Sequence, residues 1–268
     1  MNFKIVIPSL SRPIVLCQKT LKVCKECHIP LDKIYVFIIE QEKSSYISEI
    51  EKHGFQGIHV IASTPLGLDK ARNYITDYFD EAEWLLHMDD DIDGIFKLYI
   101  DENIQDTEKS ARYKLIEFTD IIELCNNTFE SCQKENIGLF GIYPVKNGFF
   151  MKDLPEMTYD LRFCVGTLWG CINDKSIKIS IEEKEDFERT LLYYKKYGKI
   201  LRLNTITIKT RYYKTPGGMQ NETVNRIESS KISCKYLLET YPEYTKLYTG
   251  KKTGIWEVKL VKLSATGF

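Results

Sequence analysis

Four carboxylates fall within five positions at the end of an apolar run, residues 84–93, where Asp89, Asp90, Asp91 and Asp93 follow Trp84, Leu85, Leu86 and Met88. Bare charges this close repel by about 4 kcal/mol per pair at an effective dielectric near 20, so a fold keeps them only where something cationic offsets them. Carboxylate oxygens suit hard divalent ions such as Mg²⁺ and Mn²⁺, which fill the rest of their shell with water and substrate phosphates. In an extended strand end Asp89 and Asp91 share a face while Asp90 points the other way. Asp89-x-Asp91 therefore reads as a metal-facing pair, the alternative being a solvated acidic exit from the strand.

Other residue types in the chain suit the same chemistry. Gly67, Asp69, Lys70, Ala71, Arg72 and Asn73 open a helix just before the acidic strand, and the backbone N–H groups of such a start favour phosphate. Arg12 and Arg72 each offer a planar fork of donors for a diphosphate. A third acidic group, at Glu182, Glu183, Glu185, Asp186 and Glu188, opens a later helix. The helix dipole alone accounts for acids there, but if this start faces the site one carboxylate can act as general base for a hydroxyl nucleophile. Trp169, in a glycine-rich strand, reads either as a stacking platform for a base or sugar or as core.

The elements that must position these groups follow a repeating pattern. Apolar strands are expected at residues 3–8, 33–40, 57–62 and 83–88, separated by helices at about 13–27, 43–53 and 68–79. That order implies a parallel sheet with helices on both faces. Ligands bind outside the C-terminal ends of such strands, and Pro8, Ser9, Glu40, Ser63, Thr64 and Asp89 to Asp91 all lie at strand ends, on one rim. Beyond Asp93 the pattern loosens into a polar loop to about Ser110, then a helix over 113–134, strands over 137–143 and 163–171, a strand over 200–209, a helix over 226–241 and a last strand over 254–260.

At 268 residues, 43% hydrophobic and 28% charged, the composition is that of an ordinary globular protein. No leader-like segment and no apolar run of membrane-spanning length is read, so neither secretion nor membrane association is expected and the location expected is cytoplasmic. Eight cysteines read as reduced thiols in that compartment. Cys24, Cys27 and His28 match a C-x-x-C-H haem-attachment pattern, but the stretch is an amphipathic helix without a second CxxC. Net charge is −1 overall yet uneven: residues 189–268 hold 16 Lys and Arg against 5 Glu and no Asp, about +11, leaving about −12 in residues 1–188. A basic segment suggests a polyanionic partner or a solvated surface. Within it, Arg211, Tyr212, Tyr213, Lys214, Pro216, Gly217 and Gly218 read as a mobile basic and aromatic loop, suited to a departing diphosphate or a nucleic-acid backbone.

Taken together, Ile7-Pro8-Ser9 with Arg12-Pro13, Gly67 with Ala71-Arg72-Asn73, and the run from Trp84 to Asp91 resemble the GT-A nucleotide-sugar glycosyltransferases. The later Glu185-Asp186-x-Glu188, the strand near Lys209, Lys214-x-x-Gly217-Gly218-x-Gln220 and Gly254-Ile255-Trp256-Glu257 look more narrowly like the TET-JBP-associated glycosyltransferases. This resemblance implies an α/β protein with a GT-A-like, Rossmann-type sheet in one domain, residues 1–93 forming a nucleotide-binding half and residues 94–268 an acceptor-binding half with a basic C-terminal part. It implies Mn²⁺ or Mg²⁺ on Asp89 and Asp91. A nucleotide-sugar donor would meet Pro8, Ser9, Arg12, Glu40, Gly67, Arg72, Asn73, Asp89, Asp90, Lys209 and Lys214. Asp186 would be the catalytic base, and Trp169, Arg211, Gly217 and Gly218 would meet the acceptor. The activity implied is transfer of a hexose, glucose from UDP-glucose, to a hydroxymethyl pyrimidine in DNA, in the cytoplasm of a cell or of a phage- or virus-infected host. A glycan, lipid or protein acceptor, or a non-catalytic nucleic-acid-binding module on the same fold, are the alternatives. GT-A enzymes often use a late histidine as a metal ligand, whereas His28, His53, His59 and His87 all precede the acidic cluster.

Overall fold

The computed structural model describes residues 2–210, 223–248 and 255–261. Its first half runs β1 (Phe3–Pro8), α1 (Pro13–Gln18), α2 (Thr20–Glu26), β2 (Ile34–Phe37), α3 (Lys43–Lys52), β3 (His59–Ile61), α4 (Leu68–Tyr78) and β4 (Trp84–Met88). The second runs β5 (Gly94–Ile100), α5 (Lys109–Arg112), β6 (Tyr113–Glu117), α6 (Ile121–Glu135), β7 (Leu139–Ile142), α7 (Gly148–Met151), β8 (Met157–Thr158), β9 (Leu168–Ile172), α8 (Glu185–Tyr197), β10 (Leu201–Leu203), β11 (Ile206–Lys209), α9 (Thr223–Thr240), β12 (Thr245–Tyr248) and β13 (Glu257–Leu260).

Eight strands form one sheet in the order β3-β2-β1-β4-β9-β7-β10-β8. β1 to β4 are parallel, as the alternation of strands and helices requires. β9 is antiparallel to both neighbours, β4 and β7. The expected α/β architecture holds, and the ends of β1, β2, β3 and β4 share one rim.

Alternation along β1 and β4 sorts their residues between two cores. Phe3, Ile5, Ile7, Leu86 and Met88 enter a cluster with Leu16, Leu21 and Tyr46, whereas Val6 and Leu85 enter one with Ile75, Trp169 and Tyr193. Continuing that alternation one turn of the pleat further sends Asp90 toward α1 and Asp89 toward α4 and α8.

Several expected elements are corrected. The helix over 13–27 is two, broken at Lys19 (φ −120°, ψ −88°). The polar stretch after Asp93 contains β5, and the start of the helix over 113–134 is β6. With β11, these strands form a small antiparallel sheet in the order β11-β5-β6. The strand over 200–209 is β10 and β11, in different sheets, separated at Asn204, whose buried amide bonds the Pro155 carbonyl. Residues 163–167 are outside any strand, β9 beginning at Leu168. Among the described residues no helix is long and apolar enough to cross a membrane.

Candidate active site

The acidic turn is held from below before anything binds it. Thr20, fully buried at the start of α2, donates its hydroxyl to the Asp89 carbonyl at 2.7 Å and accepts the Ile92 N–H at 3.0 Å. Asp90 accepts from Ser9 Oγ at 2.6 Å and from Arg12 at 3.1 Å. Ser9 Oγ also meets the Tyr46 hydroxyl at 2.7 Å. Burial pushes the Asp90 carboxyl up, and Arg12 and Ser9 pull it back. Ser9, Arg12 and Asp90 thus form a lock at the end of β1. Ser9 and Asp90, expected at the nucleotide, have their side chains engaged with each other and with Arg12 and Tyr46; Pro8 ends β1 opposite Phe37.

Asp89 and Asp91 are disposed differently. Asp91 accepts from the Thr210 hydroxyl at 2.7 Å, and its other oxygen is 3.7 Å from Arg12. Asp89 meets one donor among the described residues, Arg72, at 3.4 Å. Its carboxyl is pushed up to about 7 by burial, opposed by Arg72 and reinforced by the charges of Asp90, Asp91 and Glu185. An acid destabilised by its acidic neighbours takes up a cation readily, because the cation reverses that unfavourable interaction. Among the described residues, no group of three or more His, Cys, Asp and Glu side chains is arranged to hold a metal ion. Two carboxylates without a cage fit Mg²⁺ or Mn²⁺ completed by diphosphate and water.

Arg72 sits one turn into α4, 4% exposed. Its guanidinium donates to His87 Nδ1 at 3.2 Å and to the Gly166 carbonyl at 3.4 Å, and stands 3.8 Å from Glu185. Burial, with Arg72 and Arg189 close by, holds the His87 imidazole far below its ordinary range, so the neutral ring accepts at Nδ1. His87 stacks on Trp169 at 3.7 Å between centroids and 5° between planes, and the other charged neighbour of the indole, Arg189, lies 3.9 Å from its centroid. Trp169 is 4% exposed and its Nε1 donates to the Gly166 carbonyl. Of the two readings of Trp169, the burial of the indole in the support under Asp89 favours core over a stacking platform.

Asn73, expected at the nucleotide, has its amide engaged elsewhere: it accepts from the Ile179 N–H and donates to the Ile179 carbonyl, both at 2.8 Å, tying down the segment before α8. Gly67 caps α4 with φ +109°, where a side chain is strained. The first N–H of α4, at Leu68, is already bonded by Glu182 at 3.1 Å. Glu40 is exposed beside a pocket of about 390 Å³ lined by Ile39, Gln41, Ser63, Thr64, Pro65 and Leu66. Lys209 ends β11 exposed, and its carbonyl accepts the Asp93 N–H at 2.7 Å. Arg211, Lys214, Gly217 and Gly218 lie outside the described residues.

At the start of α8 three neighbouring carboxylates have three fates. Glu185 bonds Arg189 at 2.6 Å in the interior. Glu188 accepts the N–H groups of Ser180 and Ile181 and the Tyr236 hydroxyl. Asp186 is half-buried beside Gly166, with one oxygen accepting the Phe187 N–H at 3.0 Å. Burial first, then the Glu185 charge, pushes it up to about 6 against the pull of Arg189 and Lys184. Sequence reading missed Thr20, Thr210 and Arg189 as parts of the site, and placed Glu185 only in the acidic group at the start of α8. Only the i,i+4 spacing of Glu185 and Arg189 carried a signal.

No protein-family model and no curated protein matches this sequence. Solved structures do match in shape. A mannosyltransferase from Pyrobaculum calidifontis, PcManGT, in complex with GDP-Man and Mn²⁺, is 10% identical over 90% of this chain and 64% of its own, with a TM-score of 0.52. S. aureus TarS 1–349 in complex with UDP-GlcNAc is 12% identical over 89% and 67%, with a TM-score of 0.49. This chain spans about two thirds of the length of each, and at 10% identity the likeness to PcManGT is one of fold: an α/β sheet of the GT-A type.

Proposed function

We propose that this protein is a metal-dependent glycosyltransferase that moves a hexose, glucose from UDP-glucose, onto a hydroxymethyl pyrimidine of DNA in the cytoplasm of a cell or of an infected host. The observation that carries the reading is the division of labour at the end of β4. Asp90 is consumed by Ser9 and Arg12, while Asp89 keeps a single long bond to Arg72 and lies two positions from Asp91, with Asp186 beyond Gly166. PcManGT binds GDP-Man and Mn²⁺, which supports a nucleotide-sugar donor and a divalent metal here.

In this mechanism Asp89 and Asp91 would hold Mn²⁺ or Mg²⁺, which would supply positive charge to the nucleoside diphosphate leaving group. Arg72 fixes the Asp89 carboxylate, and the Glu40 pocket takes the nucleoside end. Asp186 accepts the proton of the acceptor hydroxyl as that oxygen bonds to the anomeric carbon. The bond from this carbon to the diphosphate oxygen breaks with its electron pair on the nucleotide, giving inversion. A carboxyl raised to about 6 is basic enough to help and still ionised at neutral pH.

The DNA acceptor draws support from charge. Lys209 and Lys146 are exposed on the acceptor side, Lys146 standing 3.7 Å from the Phe96 centroid, and the segment from residue 189 onward is strongly basic. Lys214 and Arg211 add to that charge. The test is a screen of radiolabelled sugar nucleotides against hydroxymethylated DNA, unmodified DNA and free glycans, with and without Mn²⁺. Label on the hydroxymethylated DNA alone is the expected result; label on a glycan alone would move the reading to another acceptor.

A further inference from the structure

Three buried arginines lie along one row of the large sheet, and one of them lacks what the others have. The register runs His87 to Trp169 to Gly141 to Arg202 across β4, β9, β7 and β10, and registered partners present side chains to the same face. Arg72 sits at the His87 end, with Asp89 and Glu185 as ionic partners. Arg189 covers Trp169, neutralised by Glu185 at 2.6 Å. Arg202, 8% exposed, ends the row.

Arg202 has no carboxylate within ion-pair distance among the described residues. Its Nε donates to Asn204 Oδ1 at 2.8 Å, and its guanidinium stands 5.3 Å from the Tyr143 centroid. Asn204 is itself fixed by the Pro155 carbonyl and the Thr158 hydroxyl, so the Arg202 head is anchored at one nitrogen and offers its terminal fork. Burial first, and then the guanidinium of Arg162, disfavour the charge of Arg202, while Asp160, the acid on that side, is already bonded to Arg162 at 2.6 Å. A guanidinium held out of water beside another cation is costly unless an anion completes the site.

Position decides which anion. β10 is three strands from β4, about 14 Å at ordinary strand spacing, too far for a diphosphate held at Asp89 and Asp91. It is on the side of the base, for Cys164 packs over Gly141 and its thiol, pushed up by burial, also feels both Arg202 and Asp186. A planar fork on an aromatic ring matches two phosphate oxygens.

We propose that Arg202, flanked by Arg162, is an acceptor subsite that grips a phosphodiester of a nucleic-acid strand while the hydroxyl to be glycosylated lies at Asp186. The proposal rests on the glycosyltransferase reading for the role of the bound strand, but the anion site can be tested without turnover.

The full chain is titrated with fluorescent (dT)₁₀ at several salt concentrations, and separately its thermal stabilisation by inorganic phosphate is measured. Arg202→Gln is expected to weaken (dT)₁₀ binding about tenfold or more and to lower the slope of log affinity against log salt by about 0.7. Arg202→Lys keeps the charge and loses the fork, so affinity falls while the slope stays. This variant carries the test if the Gln form does not fold. Asp89→Asn is expected to leave both curves unchanged. Wild-type (dT)₁₀ binding in Arg202→Gln, or phosphate stabilisation lost in Asp89→Asn and kept in Arg202→Gln, overturns the subsite. Arg202-dependent phosphate stabilisation without (dT)₁₀ binding overturns the nucleic-acid strand as occupant. If Arg202-dependent binding persists but no sugar reaches hydroxymethylated DNA, the reading of hydroxymethylated DNA as the acceptor falls and the anion site stands; transfer that ignores Arg202 removes the subsite alone.

Discussion

The two sides of the rim handle charge in opposite ways. On the side of β1 and β4, acids outnumber bases and most are assigned: Asp90 to Ser9 and Arg12, Asp91 to Thr210 and Arg12, Asp93 to Lys19 at 3.4 Å. On the side of β7, β10 and β11, three cations have no carboxylate within ion-pair distance among the described residues: Arg202 over Tyr143, Lys146 over Phe96, Lys209 at a strand end. The first arrangement is preorganised for a small, highly charged group such as a metal and diphosphate, which needs fixed ligands. The second suits a long polyanion, which needs several cations spread over a surface and brings its own counter-charge.

The sharpest way to break that contrast is to remove one carboxylate of the metal-facing pair. Asp91→Asn keeps the shape and removes a ligand charge, so metal-dependent turnover or sugar-nucleotide hydrolysis should drop to background while the circular dichroism melt stays near wild type. Full turnover in that variant would sink the metal assignment.

Asp186→Asn comes next. Transfer should fall about 10²- to 10⁴-fold with the donor KM near normal. In the wild type, kcat/KM should decline as pH falls through about 6, because the base is then protonated, and that acid limb should vanish from the residual activity of the variant. By contrast Glu183→Gln should leave the rate unchanged.

A smaller effect is expected from the basic tail. Combining Lys209→Ala, Arg211→Ala and Lys214→Ala should lower the salt slope of DNA binding by about 0.7 to 0.9 for each phosphate no longer neutralised. An unchanged slope with weaker nucleotide binding would assign these cations to the donor and blur the contrast between the two sides. The smallest change is Glu40→Gln. With its side chain exposed and Lys43 at 3.9 Å, it should alter stability by no more than about 0.5 kcal/mol, measured by urea titration. A larger loss would mean that the pocket edge is structurally committed.

What could be read from the sequence depended on the range of the physical signal. The order of β1 to β4 and their helices was legible because apolar periodicity is local, and the pleat separated Asp90, which meets Ser9 and Arg12, from Asp89, which meets Arg72; Asp91, past the strand, lies 3.7 Å from Arg12 as well. Where long-range partners decide, the sequence carries little signal. Asn73 looked like a ligand-facing amide, but its partner is Ile179, more than a hundred positions later. Trp169 read as either platform or core because nothing nearby in sequence reveals that His87 and Arg189 cover it. β5 was hidden because its pairing with β6 and β11, and no strict alternation of its own, makes it a strand. Thr20 carries no pattern at all, although its hydroxyl shapes the acidic turn.

The antiparallel strand β9 has a consequence for how the protein is made and remade. β4 emerges from the ribosome with β1 available on one edge, but its other edge is closed only by β9, about 80 residues later. At about 5 to 20 residues per second, an apolar strand ending in the acidic turn waits several seconds with unpaired N–H and C=O groups. Splicing at residue 93 to graft a new acceptor half would make that wait permanent unless the graft brings its own β9. Chimeras cut after Ile172, which keep the pairing of Leu168–Ile172 with Trp84–Met88, are the ones expected to remain in solution.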